Sequence, residues 1–176
     1  MIDAAIFDLD GTLVDLPVDY DKLFEEIRKI LKKETVHSLL KTVKEADEEE
    51  RDRIFRAWDK IELKALPKTT QITEGIGVYS KYCEKPKALV TMQGKNLVKA
   101  LLKRFDLCFA FSITREQSLD RDKQLEIAAR KLRTNVQNIL FVGNEDHDEK
   151  AARKIGCKFR RVGQRKSGMM PSQVSM

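Results

Sequence analysis

The sequence predicts an α/β fold: a doubly wound parallel sheet carrying a small all-helical insertion. Three observations predict it. Short apolar runs recur along the 176 residues and alternate with helical periodicity. One stretch, from about residue 16 to residue 67, breaks that rhythm with helical patterns alone. The first apolar run ends on Asp8-Leu9-Asp10-Gly11-Thr12, a dense group of polar functions where a strand should stop.

The first run, Ala4-Ala5-Ile6-Phe7, has the unbroken hydrophobicity of a strand buried on both faces. At its end Asp8 and Asp10, two positions apart, point to the same side. Gly11 frees the backbone for a sharp turn, and Thr12 sets a hydroxyl beside the acids. Like charges this close repel unless a cation joins them or one takes a proton. The pattern therefore points to Mg²⁺, or to a nucleophilic acid beside a general acid.

In the helical block, Leu23, Phe24, Ile27, Ile30 and Leu31 give a first helix its apolar face. Val36, Leu39, Leu40 and Val43 give a second, with Thr35 as its expected N-cap. Asp47 and Glu50 form a capping-box pattern for a third, which carries Ile54, Phe55, Trp58 and Ile61 and ends at Pro67. Helices inserted directly after the acidic motif are placed to act as a lid over the strand ends.

The alternation then resumes. Ile76, Tyr79, Tyr82 and Cys83 mark a helix before a strand at Ala88–Thr91, and Leu97, Leu101 and Leu102 mark one after it. A strand at Phe109–Thr114 is followed by a helix with Leu125, Ile127, Ala128 and Leu132. Ile139–Gly143 is the next strand, and Ala151, Ala152 and Ile155 lead to a helix end at Gly156. In the last run, Phe159–Val162, Arg160 and Arg161 indicate an edge strand.

Apolar residues make up 41% and charged residues 35%, which suits a globular protein with a heavily charged surface. The net charge of +6 favours anionic partners. Cys83, Cys108 and Cys157 are scattered without metal-ligand spacing, so reduced thiols and a cytoplasmic location are expected. No apolar run approaches a membrane span, and no membrane partner is expected. His147 has no Cys or second His at ligand spacing, so it reads as a surface turn residue rather than a zinc ligand. Lys158, Arg160, Arg161, Arg165 and Lys166 form a basic C-terminal segment without interleaved aromatics, which makes nucleic acid an unlikely partner. Residues 165–176 read as a loosely ordered basic tail. Oligomeric state is left open.

The order of these motifs resembles the haloacid dehalogenase (HAD) superfamily, in its phosphatase-type branch with a helical cap. The resemblance spans nearly the whole chain. It implies a HAD-like Rossmannoid core at 1–15 and 68–164, with the helical cap at 16–67. By this resemblance Asp8 is a nucleophile and Asp10 a general acid and base. The dehalogenases of the superfamily lack that second acid. Thr91 and the backbone N–H of Met92 would bind a phosphoryl oxygen. In Asp120-Arg121-Asp122-Lys123-Gln124, Lys123 fits the family's phosphate-binding cation, with Arg121 as competitor and Gln124 where many relatives have Pro. Gly143-Asn144-Glu145-Asp146-His147-Asp148 stands where the commonest family pattern is G-D-x-x-x-D. Asp148 is kept, Asn144 replaces the first acid, and Glu145 is a candidate to supply the missing carboxylate. The implied Mg²⁺ ligands are thus Asp8, Asp10 through its carbonyl, Asn144, Glu145 and Asp148. The implied function is Mg²⁺-dependent hydrolysis of a small phosphorylated metabolite through an aspartyl-phosphate. The alternative is a weakened or inactive relative serving as a phosphate-binding or protein-interaction module.

Overall fold

A computed structural model describes residues 1–163. Its strands are β1 (Ala4–Phe7), β2 (Val14–Asp15), β3 (Thr70–Gln71), β4 (Lys87–Val90), β5 (Phe111–Ile113), β6 (Ile139–Gly143) and β7 (Lys158–Arg161). Its helices are α1 (Tyr20–Leu31), α2 (Leu39–Glu45), α3 (Glu48–Ala65), α4 (Thr73–Lys81), α5 (Lys95–Arg104), α6 (Arg121–Leu132) and α7 (Asp146–Ile155). Five strands form a parallel sheet in the order β5-β4-β1-β6-β7, with Ile6 of β1 level with Ala88 on one side and Phe141 on the other.

Alternation along β1 explains why its run holds no polar residue. Ala4 and Ile6 pack with Val90, Phe141, Leu125, Ala128, Ala151 and Ala152, the last four beneath or within α6 and α7. Ala5 and Phe7 pack to the opposite face with Leu89, Val142, Leu97 and Leu101 of α5, and Val78 of α4. Both faces are covered, so every side chain of the strand leaves water, each large one contributing about 1.5–3 kcal/mol. This is the doubly wound arrangement.

The segment between β2 and β3 holds three helices, as its periodicity predicts. β2 and β3 pair antiparallel, which brings the way in and the way out of the segment together. Leu9, Leu13, Val14 and Leu16 lead from the sheet into the same apolar cluster as Leu23, Ile27, Ile54 and Trp58. At α3 the Asp47 carboxylate accepts from Glu50 N at 2.8 Å and Glu50 returns the bond to Asp47 N at 3.3 Å, the expected capping box. At α2 the cap is Ser38, accepting from Lys41 N at 3.4 Å, instead of Thr35. The helix begins later than its apolar pattern, which Val36 extends ahead of it.

β5 is shorter than the expected Phe109–Thr114 because Phe109 leaves the strand for a ring cluster. Its centroid lies 6.0 Å from Phe7 and 5.4 Å from Tyr79, both edge-on. β7 is the edge strand that Arg160 and Arg161 indicate. His147 lies in the first turn of α7, half-buried, and not in a surface turn. Among the described residues no helix is long and apolar enough to cross a membrane, and the three cysteines are unpaired. The tail at 165–176 lies outside the described residues.

Candidate active site

The carboxyl ends of β1, β4 and β6 lie side by side, and the loops leaving them carry most of the residues singled out above. Open α/β sheets bind ligands at such a point, where connections leave a central strand in opposite directions. Asp8 follows β1 directly, and its N–H donates to Val142 O of β6 at 2.9 Å. Its side chain is 7% exposed. Oδ1 accepts from Arg121 Nη2 at 2.8 Å, and Oδ2 accepts from the Thr12 hydroxyl at 3.3 Å. Burial pushes the Asp8 carboxyl up to about 7 against the pull of Arg121, with the charges of Asp148 and Asp10 adding to the rise.

Asp10 sits less deeply, at the start of the turn, and its Oδ1 accepts from Leu16 N at 3.0 Å. Gly11 makes that turn with φ +79°, and a Cβ there would collide with the side-chain amide of Asn144. Motif one and the loop after β6 therefore touch because residue 11 has no side chain. Asn144 Oδ1 in turn faces the Thr12 hydroxyl at 3.3 Å.

Arg121 opens α6 and stands between two acids. Besides its bond to Asp8, its Nε lies 2.9 Å from Asp148 Oδ1, out of line for a hydrogen bond, so that contact is Coulombic. Desolvation works against the charged guanidinium, but Asp8 and Asp148 outweigh it and the Arg121 pKa is raised. Lys123 is not in this site. Its side chain is 70% exposed and 3.7 Å from Asp120. The physical reason is helix phase: Arg121, Gln124, Leu125 and Ala128 share the buried face of α6, and position 123 lies about 200° around the helix from 121. Extending the Leu125–Ala128 spacing backward one turn would have found Arg121.

Asp148 is fully buried in the first turn of α7. Its Oδ2 accepts from Asn144 N at 3.3 Å and Glu145 N at 3.2 Å, at the start of that helix. A Cβ on Gly143 would lie 2.6 Å from the same oxygen, so the glycine allows this close approach. Glu145 accepts from Asn144 Nδ2 at 3.3 Å. His147 Nε2 lies 3.4 Å from Asp148 Oδ1, and burial lowers its pKa. Arg161, read in sequence as part of a basic surface segment, is drawn instead to Asn144 O, Asp146 and Glu149 at 2.8–2.9 Å.

After β4, Thr91 is fully buried and its hydroxyl bonds Gln93, whose N–H returns a bond at 3.2 Å. Gly94 N donates to Glu62 at 3.2 Å and Lys95 N to Glu116 at 3.1 Å. Among the described residues the Met92 N–H meets no acceptor, whereas its neighbours do.

One further centre escaped the sequence reading. Arg115, after β5, is fully buried, with Nη1 2.8 Å from both carboxylate oxygens of Glu62 and Nη2 bonded to Asp59. It stacks 4.3 Å from the Trp58 ring. These partners all lie on α3, so the helical segment is fastened beside the Thr91 loop. Burial pushes the Glu62 carboxyl up to about 7, opposed by Arg115 and Gly94. Tyr20, first residue of α1, is half-buried nearby, and desolvation with the charges of Asp10 and Glu62 raises its hydroxyl pKa.

The residues present suit an oxygen-seeking cation. Asp8 Oδ2 and Asn144 Oδ1 converge on one hydroxyl, and both are hard oxygen donors of the kind Mg²⁺ takes. The set carries little charge: among the described residues no group of three or more His, Cys, Asp or Glu side chains is gathered to hold a metal. Asn144 replaces an acid, and Asp148 is turned to Arg121.

A sequence model described as haloacid dehalogenase-like hydrolase matches residues 5–162. No curated protein matches the sequence. Among solved structures, a hydrolase from Pseudomonas syringae superposes with a TM-score of 0.68 at 17% identity, covering 98% of this chain and 91% of that one. A predicted phosphoglycolate phosphatase from Haemophilus somnus gives 0.63 at 19% identity, covering 90% and 84%. The L-2-haloacid dehalogenase from Xanthobacter autotrophicus gives 0.58 at 18%, covering 92% and 78%. At these identities the likeness is one of fold.

Proposed function

Because the chain belongs to the haloacid dehalogenase-like hydrolase family, we propose that it is a Mg²⁺-dependent phosphomonoester hydrolase acting on a small phosphorylated metabolite. The observation that carries this reading is the pairing of a buried Asp8, one oxygen held by a guanidinium, with a second carboxylate two residues on. A hydrolase attacking carbon has no need of Asp10, whereas phosphate transfer to and from an aspartate needs a proton donor and then a proton acceptor.

In this mechanism an oxygen of Asp8 forms a bond to phosphorus while the ester oxygen leaves and takes a proton from Asp10. Asp10 then accepts a proton from the water that attacks the aspartyl-phosphate, releasing phosphate and restoring Asp8. Arg121 and the Met92 N–H hold the non-bridging oxygens, joined by the Thr91 hydroxyl when its proton turns from Gln93 to the phosphate, so most of the rate comes from position and charge. Asp8, the Asp10 carbonyl and Asn144 would hold Mg²⁺, which when bound supplies positive charge against carboxylate and phosphate. The α1–α3 segment, fastened by Arg115 beside the Thr91 loop, would serve as the cap. The unpaired cysteines suit a reducing cytoplasm.

The test is a phosphomonoester panel with Mg²⁺. Asp8→Asn, which keeps the shape and removes the nucleophile, should lower turnover by at least ~10³-fold. Wild-type turnover no higher than that of Asp8→Asn rejects the proposal. The neutral amide at 144 favours one second reading, a weakened relative that keeps the fold to bind phosphate or a partner. Asn144→Asp should then raise Mg²⁺ affinity and turnover by about tenfold or more, as titration and rate measurements would show.

A further inference from the structure

We propose that Gln124 is a positioning residue that sets the orientation of the Arg121 guanidinium and ties that cation to the Thr91 strand end. The proposal rests on the reading of Arg121 as the phosphate-facing cation. Gln124 is fully buried, one turn along α6 from Arg121. Both N–H donors of its amide and one lone pair of its oxygen are taken up. Nε2 donates to Thr91 O at 2.8 Å and Ser118 O at 2.9 Å, and Oε1 accepts from Arg121 Nη1 at 3.0 Å.

These partners leave one orientation for the amide. Turned over, it would set its oxygen against two carbonyls and its NH₂ against a guanidinium. The guanidinium itself has two in-line side-chain bonds, Nη2 to the nucleophile and Nη1 to Gln124, because its approach to Asp148 is out of line. Without the amide oxygen only Asp8 directs the plane of the cation, while Asp148 pulls on it from the Nε side. Gln124 thus braces the cation against β4, whose next residues are Thr91 and Met92. The phosphate-binding loop and the cation then move as one unit.

A residue that acts through Arg121 should lose its effect once Arg121 is gone. With p-nitrophenyl phosphate as probe, Gln124→Met should lower kcat/KM about ten- to a hundred-fold. Added to Arg121→Met it should cost nothing further. Losses that simply multiply would overturn the proposal, because a merely structural glutamine would give them. A second arm needs no activity: ¹⁵N NMR of the Arg121 side chain, assigned by its loss in Arg121→Met. Wild type should show distinct Nη signals from hindered rotation, and Gln124→Met should average them. Distinct, unmoved signals in Gln124→Met reject the proposal. Gln124→Asn, one methylene too short to reach, serves in the same way if Gln124→Met does not fold. Absence of wild-type turnover on any phosphomonoester would count against the phosphatase reading, and the NMR arm would still decide the role of Gln124.

Discussion

Arg115 and Arg121 lie six positions apart in the sequence, and each is a buried guanidinium between two carboxylates. Their partners differ in origin and in what they have left to give. Glu62 turns both oxygens to Arg115, and one of them also takes the Gly94 N–H. Asp59 holds Arg115 Nη2 and the Asn96 side chain, the latter at 2.8 Å. Every strong acceptor is used inside the protein, and the group joins α3 to the loops after β4 and β5. Asp8 gives Arg121 a single oxygen and keeps the other with one long hydroxyl contact. The first centre is a fastener. The second is a carboxylate held in place with bonding capacity to spare, which is what a nucleophile requires.

Substitutions should separate the two. Arg115→Ala leaves Glu62 and Asp59 without their buried cation, and breaking a buried pair from one side costs about 3–5 kcal/mol. Urea unfolding should register that loss. Arg121→Met should instead lower kcat/KM by about 10²–10³-fold, the usual cost of a lost electrostatic contact to a reacting group, in protein that remains folded by circular dichroism. The comparison breaks if Arg115→Ala leaves stability intact and removes activity.

A smaller effect follows from Glu62. Its folded pKa of about 7 lies above its ordinary value of 4.5. The folded state therefore binds the proton more tightly, and the stability tied to that proton is complete below about pH 4.5 and lost as pH rises through 7. Each pH unit across that window changes stability by up to ~1.4 kcal/mol. Asp8 is raised in the same direction, so the Glu62 share is isolated by comparing wild type with Glu62→Gln. The variant should gain on wild type between pH 5 and pH 8. Parallel stability curves for the two proteins would mean the carboxyl stays ionised throughout and the fastener is a plain ion pair.

The same contrast explains what was legible in the sequence. β1, β4 and β6 announce themselves because burial on both faces makes their runs apolar, Lys87 at the start of β4 excepted, and Asp47 with Glu50 because a capping box is local. Asp8 and Asp10 are legible for the same reason, being close neighbours. Arg115 was not, since its partners lie 53 and 56 residues earlier on another element. β2 and β3 hold two residues each, too few for any period to show. Glu145 reads in sequence as a candidate carboxylate, and only the packed loop reveals that one of its oxygens accepts from Asn144 Nδ2.

Lys123 sharpens the comparison at its weakest point, because sequence order favours it and helix phase does not. Position 123 points away from the face that Arg121 and Gln124 bury, and among the described residues its ammonium pairs with Asp120, an acid that also pairs with Lys44. An exposed pair of this kind contributes between nothing and ~1 kcal/mol. Lys123→Ala should therefore leave the unfolding midpoint within a few tenths of a kcal/mol and kcat/KM within about twofold of wild type. Steady-state kinetics beside Arg121→Met would decide between the two cations. A large loss from Lys123→Ala with little from Arg121→Met would mean that α6 turns by half a revolution when substrate binds. The buried bonds of Gln124 to Thr91 and Ser118 argue against such a turn, because it would break both at once.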